Sequence, residues 1–228
     1  SSVKLMSVMM PEFVTDTGTL SVANLAGSSE GLLTQATGAN KPVLAASSSL
    51  GRNTLSFDPD DARFVTFGSP VNYTLPFSQI VVFNARSINA PSNIMGNESS
   101  ITNQRSGMTL STVSRVRFRN GDGAAQTRVL AADTWYAGIG SYNGVNTTKV
   151  QILGATPVEA ATTTVEASGI TTLTLGSATG AFGYNGLIDM ACFMDVDIFA
   201  TANAALLADA YTMLTQFYGT TVVGNPMW

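Results

Sequence analysis

The 228-residue chain contains no histidine, which removes the Ser-His and Cys-His nucleophile pairs and the commonest transition-metal ligand. It has a single cysteine, Cys192, set in an apolar stretch. A lone cysteine makes no internal disulfide and reads as a small buried side chain, so the redox compartment stays open. Charge is scarce: Asp, Glu, Lys and Arg make up 11% of the residues, against about 25% in average soluble domains. Weak electrostatic self-repulsion of this kind suits a subunit packed into an assembly. The 15 acidic and 11 basic residues leave a net charge of −4, which argues against nucleic acid as a partner, because phosphate neutralisation needs a dominant basic surface. No apolar run approaches the roughly 18 residues of a membrane span, so no membrane partner is expected, and VKLMSVMM is too short and too weakly flanked for a signal peptide. The chain begins at Ser1, as initiator removal or a longer precursor would leave it.

What is present is a long succession of short Thr-, Val- and Phe-rich segments separated by turn signals. Residues 1 to 14 read as a first strand closed by Pro11, followed by Leu20 to Leu25, Lys41 to Leu44, Asn53 to Phe57 and Arg63 to Phe67. Phe77 to Ala85 is nearly all apolar, as expected of a central strand covered on both faces. Ser87 to Gly107 is rich in Asn and Ser and reads as a long loop. Met108 to Asn120 reads as one strand that alternates strictly near its end, with Val116 and Phe118 on one face and Arg115, Arg117 and Arg119 on the other. Asn120-Gly121-Asp122-Gly123 is a strong hairpin turn leading into Gln126 to Leu130. Thr134 to Tyr142, Lys149 to Leu153, Thr162 to Ala167, Thr171 to Leu175 and a final strand over Leu187 to Phe199 complete the set.

The one convincing helix follows. From Leu207 the apolar positions Ala210, Tyr211, Leu214, Phe217 and Tyr218 form one buried stripe. Thr201 or Asn203 is expected to cap its start, and Gly219 suits a residue of positive φ past its end. More than ten short strands and one helix define an all-β antiparallel sandwich with a C-terminal helix packed on it, over an open edge or end. At this length a single domain spanning residues 1–228 is expected, with its core over about 32–219. The apolar termini, 1–31 and 220–228, are expected in inter-subunit contacts through Met6, Met9, Met10, Met227 and Trp228.

The order of several segments resembles the concanavalin A-like, laminin-G-type jelly roll. The segments are QATGANKPVL at 35 to 44, LGRNTLSFDPDDARF at 50 to 64, FSQIVVFNARS at 77 to 87, TWYAGIGSYNG at 134 to 144 and TLTLGS at 172 to 177. FGYNGLIDMACFMDVDIF and TANAALLADAYTMLTQFYG close the series. The resemblance implies a sandwich of the kind found in carbohydrate-binding modules and in virion proteins of tailed bacteriophages. Related glucanases carry Glu-x-Asp-x-x-Glu on one strand. Here Asp189, Asp195 and Asp197 are the nearest equivalent, Asp195 and Asp197 sharing a strand face, and no Glu accompanies them. Two carboxylates across a glycosidic bond are therefore not provided, and no catalytic residues are expected.

Asp58, Asp60 and Asp61 have the oxygen donors of a calcium loop, but their Asp-Pro sequence is also that of an ordinary turn, the reading we prefer. No metal and no cofactor are expected. Arg115, Arg117 and Arg119, with Arg105 and Arg128 close by in sequence, suit acidic glycans or an acidic neighbouring subunit. Trp135, Tyr142 and Asn143, with Tyr136, Tyr73 and Tyr184, are the residue types of a sugar platform, although large aromatics more often pack in the core. Asn-x-Ser/Thr sequons at Asn72, Asn97 and Asn146 are what chance supplies in such a composition. Together with the low charge and the missing catalytic constellation, the resemblance implies a non-enzymatic structural virion protein of a tailed bacteriophage, a capsid decoration or a tail or fibre component, with other virion subunits as partners in a homo-oligomer or lattice. The alternative is a carbohydrate-binding adhesion module for a surface polysaccharide. A degenerate glycoside hydrolase is the third option.

Overall fold

In a computed structural model, the structure describes residues 5–10, 14–16, 19–22, 33–35, 38–58, 60, 63–67, 71–88, 91–97, 105–165, 172–176, 182–219 and 221–222. Two antiparallel sheets face each other as a sandwich. Sheet A runs β15 (Val158–Ala161), β14 (Thr147–Ile152), β13 (Trp135–Tyr142), β8 (Phe77–Ala85), β17 (Gly186–Met194), β6 (Arg52–Phe57) and β5 (Val43–Ser47). The strand β1 (Leu5–Met9) also joins it on β17. Sheet B runs β12 (Gly123–Val129), β11 (Arg115–Asn120), β10 (Ser106–Leu110), β9 (Ser92–Gly96), β16 (Thr174–Gly176), β7 (Phe64–Phe67), β4 (Leu33–Gln35), β3 (Leu20–Val22) and β2 (Val14–Asp16).

The centre of sheet A is buried on both faces, and the sequence of β8 shows how. Phe77, Val81, Phe83 and Ala85 enter the core between the sheets, while Ile80 and Val82 enter a second cluster beneath the helix α1 (Ala204–Tyr218). All nine residues of β8 are buried. Gln79 occupies a core-facing position, and its Oε1 accepts the Met108 N–H at 3.1 Å where the β9–β10 register shifts. In β13 the glycines make room for the opposite sheet: a Cβ at Gly140 would lie 2.0 Å from the ring of Phe118. Aromatic contacts continue this packing, with Phe77 stacked on Phe193 at 5.6 Å.

The helix is anchored by a buried polar group. β17 carries an extra residue between Ile188 and Met190, and this bulge turns Asp189, fully buried, toward α1. Arg52 of β6 donates to both carboxylate oxygens, at 3.1 and 2.5 Å. The Tyr218 hydroxyl, from the last turn of α1, donates to Asp189 Oδ2 at 2.6 Å, and the Arg52 guanidinium lies 5.0 Å from the centre of the Tyr218 ring. Two strands and the helix thereby meet at one carboxylate. Burial, with Asp189 beside it, raises the Tyr218 phenol above its ordinary value.

Several sequence expectations change. The segment 87 to 107 is not one long loop, because it contains β9 and the start of β10. The span 108 to 120 is two strands, separated by a turn in which Ser114 takes φ +59°. The last strand ends at Met194, so Asp195 and Asp197 share a turn and no strand face. Residues 162 to 165 follow a strand at 158–161 and form none. Pro11, positions 23–25 of the expected second strand and positions 166–171 lie outside the described residues.

At the helix, neither expected cap forms: Thr201 lies in a short 3₁₀ turn, and Asn203 donates its side-chain N–H to the Asp197 carbonyl at 2.7 Å instead of capping. Gly219 does end the helix with φ +51°. The buried stripe is Ala210, Leu214 and Tyr218, with Leu206, Leu207, Tyr211 and Met213 packed beside it. Phe217 is 56% exposed, because it sits at the margin of the stripe. The helix covers a face of sheet A, and not an edge or end of the sandwich, because that face is apolar across β8, β13 and β17.

Two outcomes follow from this packing. Tyr218→Phe is expected to cost about 1.5–3 kcal/mol, the loss of a hydrogen bond to a charged group, and Asp189→Asn more, since it also breaks a buried ion pair; chemical denaturation measures both. Because the folded pKa of Tyr218 is raised above 10.0, its contribution is complete below that pH and declines as pH rises past it, so Tyr218→Phe should flatten part of the alkaline stability loss. Cys192, whose thiol burial pushes up to about 12, should resist alkylation in the native protein at pH 8 and react at the rate of unfolding.

Candidate functional site

The outer face of sheet B carries the polar cluster. Val116 and Phe118 of β11 enter the core, which turns the alternate residues Arg115, Arg117 and Arg119 outward. Arg117 stands opposite Thr109 of β10, and Thr109 opposite Asn93 of β9. Arg119 stands opposite Gly107, which faces Gly96. Gly107 takes φ +125°, and a Cβ there would lie 2.2 Å from the Met95 carbonyl oxygen, so no side chain intervenes in that row.

A cavity of about 40 Å³ forms here, with Ser92, Asn93, Asn97, Arg105, Arg117 and Arg119 around it. Pro91, Thr109 and Phe182 are at its mouth, each partly or fully exposed. Arg105 is held with its guanidinium 4.1 Å from the centre of the Phe182 ring, a cation–π contact that aims it at the cavity. The Asn97 side-chain oxygen accepts the Ser106 N–H. Asn93 donates through Nδ2 to the Gly176 carbonyl at 2.7 Å and to Thr174 Oγ1 at 3.3 Å. The Gly176 carbonyl can only accept, so this contact fixes the orientation of the amide. Among the described residues, Asn93 Oδ1, Ser92 Oγ and Arg117 Nε are buried with no hydrogen-bond partner.

The electrostatics agree with that geometry. Burial, with the charges of Arg117 and Arg105 beside it, lowers the Arg119 pKa to about 10, and burial lowers that of Arg117. All three guanidiniums remain cationic at neutral pH. Such a cluster can hold an oxyanion through forked N–H donors, and the neighbouring hydroxyl and amides can recognise the groups attached to it.

The other sequence candidates fall elsewhere. Arg115 and Arg128 are exposed and outside the cavity. Trp135 and Tyr142, 4% and 1% exposed, are core residues and present no platform to a sugar: Trp135 packs beneath the helix and donates to Ser49 Oγ at 2.9 Å, and Tyr142 lies between the sheets. Tyr73 and Tyr184 are likewise buried. Asn143 organises the β13–β14 turn, its Oδ1 accepting the N–H groups of Val145, Asn146 and Thr147, each at 2.9 Å. Asp58 accepts the Asp60 N–H at 3.0 Å, as in an Asx turn; Asp61 lies outside the described residues, among which no group of three metal-ligating side chains occurs. Asp197 accepts from the Ser141 hydroxyl at 2.7 Å and the Phe199 N–H at 3.0 Å. Met10 packs against the cluster beneath the helix, the side chains of Met6 and Met9 are not described, and Met227 and Trp228 lie outside the described residues.

No family model and no curated protein matches the chain. Solved structures do. The binding domain of Paraclostridial Mosquitocidal Protein 1 superposes with a TM-score of 0.60 at 9% identity, over 91% of this chain and 52% of that one. Trypanosoma rangeli sialidase in complex with the inhibitor DANA superposes with a TM-score of 0.58 at 11% identity, over 86% of this chain and 31% of that one. Tailspike protein 2 from Escherichia coli O157:H7 bacteriophage CAB120 gives 0.51 at 12% identity, over 80% and 27%. The chain thus spans between about a quarter and a half of the length of each. These likenesses show the fold, a jelly-roll-like β-sandwich.

Three guanidiniums in one small cavity repel one another when no anion is present. Arg117→Met is therefore expected to stabilise the unliganded protein at low ionic strength by about 1 kcal/mol, the usual gain when a strained functional position is relieved. Thermal denaturation with and without added salt checks it, and the gain should shrink as salt rises.

Proposed function

We propose that the chain is a non-enzymatic recognition module, a sandwich of the concanavalin A-like, laminin-G type that holds an acidic glycan at the arginine cavity of sheet B. The observation that carries this reading is the convergence of Arg105, Arg117 and Arg119 with Ser92 and Asn93 on one small cavity. Cationic forks select carboxylates, and buried amides and hydroxyls select the hydroxyl pattern around them. No carboxylate lies among the described residues around the cavity, so the acid and base of glycoside hydrolysis have no counterpart there. The setting we propose is a tail or fibre of a tailed bacteriophage virion, which the tailspike among the structural neighbours supports. A capsid decoration subunit is the other setting that the resemblance and the low charge suggest.

Binding of the full chain to immobilised polygalacturonate and to neutral dextran tests the proposal. Retention on polygalacturonate alone is expected, weakening as salt rises, with at least a tenfold loss in an Arg117→Gln/Arg119→Gln double variant. Equal retention on dextran, or retention unaffected by the double variant, would overturn it.

A further inference from the structure

We infer that a second site, a groove between α1 and the β14–β15 turn, holds a neutral sugar ring that carries a methyl group, as a 6-deoxyhexose or an N-acetylated sugar does. It lies on the helix side of sheet A, across the sandwich from the arginine cavity, and the inference does not rest on the acidic-glycan reading. The groove measures about 390 Å³, within the roughly 300–1,000 Å³ of pockets that enclose small ligands. Tyr211 and Thr215, one helical turn apart, line it from α1, and residues 154–157 line it from the turn. The buried Gln151 and Leu153 complete the lining. The two walls are fixed to each other: Gln151 Nε2 donates to the Ala155 carbonyl, and Gln151 Oε1 accepts the Tyr211 O–H. The turn itself is set by Gly154 at φ +81° and by the Ala155 N–H bonded to the Ile152 carbonyl at 2.9 Å. One amide thus ties turn to helix, and the groove is formed before any ligand arrives.

The lining decides the chemistry of the ligand. None of the described residues around the groove is acidic or basic, and burial raises the Tyr211 phenol above its ordinary value, so it stays protonated at neutral pH. On the same edge of the sheet, Lys149 and Glu159 neutralise each other at 3.3 Å. A charged ligand would give up water here without meeting a counter-charge, so the matching ligand is neutral. The bonds above engage both ends of the Gln151 amide and the one proton of the Tyr211 hydroxyl inside the protein. What the groove offers a ligand is therefore chiefly apolar, the Tyr211 ring with Leu153, Ala155 and Pro157, while Thr156 and Thr215 supply hydroxyls that donate and accept. A sugar ring, apolar across its C–H face and polar at its edge, fits that mixture. A wholly apolar ligand would leave the threonine hydroxyls dry. An ordinary hexose sets polar substituents on every side, against apolar lining as well as threonine. A methyl group on the ring removes that mismatch, and one such group in an apolar pocket discriminates by roughly tenfold or more.

The test titrates three pairs of sugars into the full chain and follows the methyl NMR resonances of Leu153 and Ala155. L-Fucose and L-galactose differ only in a methyl against a hydroxymethyl group, as do L-rhamnose and L-mannose, while N-acetylglucosamine and glucose differ in the acetamido group. In at least one pair the methyl-bearing sugar is expected to bind fivefold or more tightly than its partner, and the pair that does so identifies the source of the methyl. Tyr211→Ala should bring that preference near one. Because Tyr211 also bonds to Gln151, the exposed Pro157 gives the second variant, Pro157→Ser, which should weaken binding at least twofold in a protein that is otherwise folded. The Arg117→Gln/Arg119→Gln double variant should bind these sugars as the unaltered protein does. Equal binding within all three pairs would overturn the inference, and so would a preference that survives both groove variants or is lost in the arginine variant. Cyclohexanol bound more tightly than every sugar would overturn it as well, since the groove would then be a site for an apolar ligand.

Discussion

Burial of both faces at the centre of sheet A is the constraint on which the rest of the molecule depends. β8 and β17 lie at its centre, between the facing sheet on one side and α1 on the other, and so must be apolar at nearly every position. Polar side chains survive there only with partners supplied from distant elements. Ser78 donates to the Val196 carbonyl at 2.6 Å and accepts the Ile198 N–H at 2.9 Å, which ties the end of β17 to the approach to the helix. Asp189 is the larger case. A buried carboxylate is tolerable because Arg52 neutralises it and Tyr218 completes its hydrogen bonding, and the helix cannot leave the sheet without exposing that pair.

The same constraint decides where function can reside. With the centre of sheet A covered on both sides, sheet B has the open face, and its strands β9, β10 and β11 line one cavity. In a chain whose charged residues are so few, three arginines at one place are a concentrated departure from the average surface. Their mutual repulsion and partial burial, which lower the Arg119 pKa, oppose folding slightly, and under the proposed reading the acid group of the ligand relieves them. This is the usual relation between a preorganised site and its ligand: the unfavourable arrangement is held by the scaffold and made favourable on binding.

Much of this architecture is legible in the residues themselves. The unbroken apolar run of β8 marks a strand buried on both faces, the Asn-Gly-Asp-Gly turn marks the β11–β12 hairpin, and the alternation of arginines with Val116 and Phe118 marks an outward polar row. The opposite wall of the cavity is harder to see. Ser92, Asn93 and Asn97 fall in a segment whose composition is that of a loop, because a short strand with a polar pocket on one face has only Ile94 and Met95 to show as apolar. The role of Asp189 is also hidden. Its partners lie 137 and 29 residues away, and a local pattern of aspartates near the chain end resembles a depleted catalytic strand more than one pole of a structural ion pair. Phe182, which holds Arg105 by its ring, gives no local sign of that contact either.

The small size of the cavity bears on how adhesion would work under the proposed reading. A group of about five heavy atoms, at the ceiling of roughly 1.5 kcal/mol per atom reached by the best small ligands, gives at most about 7.5 kcal/mol, a dissociation constant of about 3 µM. Ordinary efficiencies place it far weaker. One such contact cannot hold a particle to a surface. A polysaccharide presents the same acid group at every repeat, however, and several copies of a module held together would each meet one, so that the second and later contacts become intramolecular and the overall affinity rises by orders of magnitude. Weak, chemically specific recognition of one pendant group is then an advantage: each contact releases quickly, while the array as a whole stays on a surface that carries the acid throughout its length.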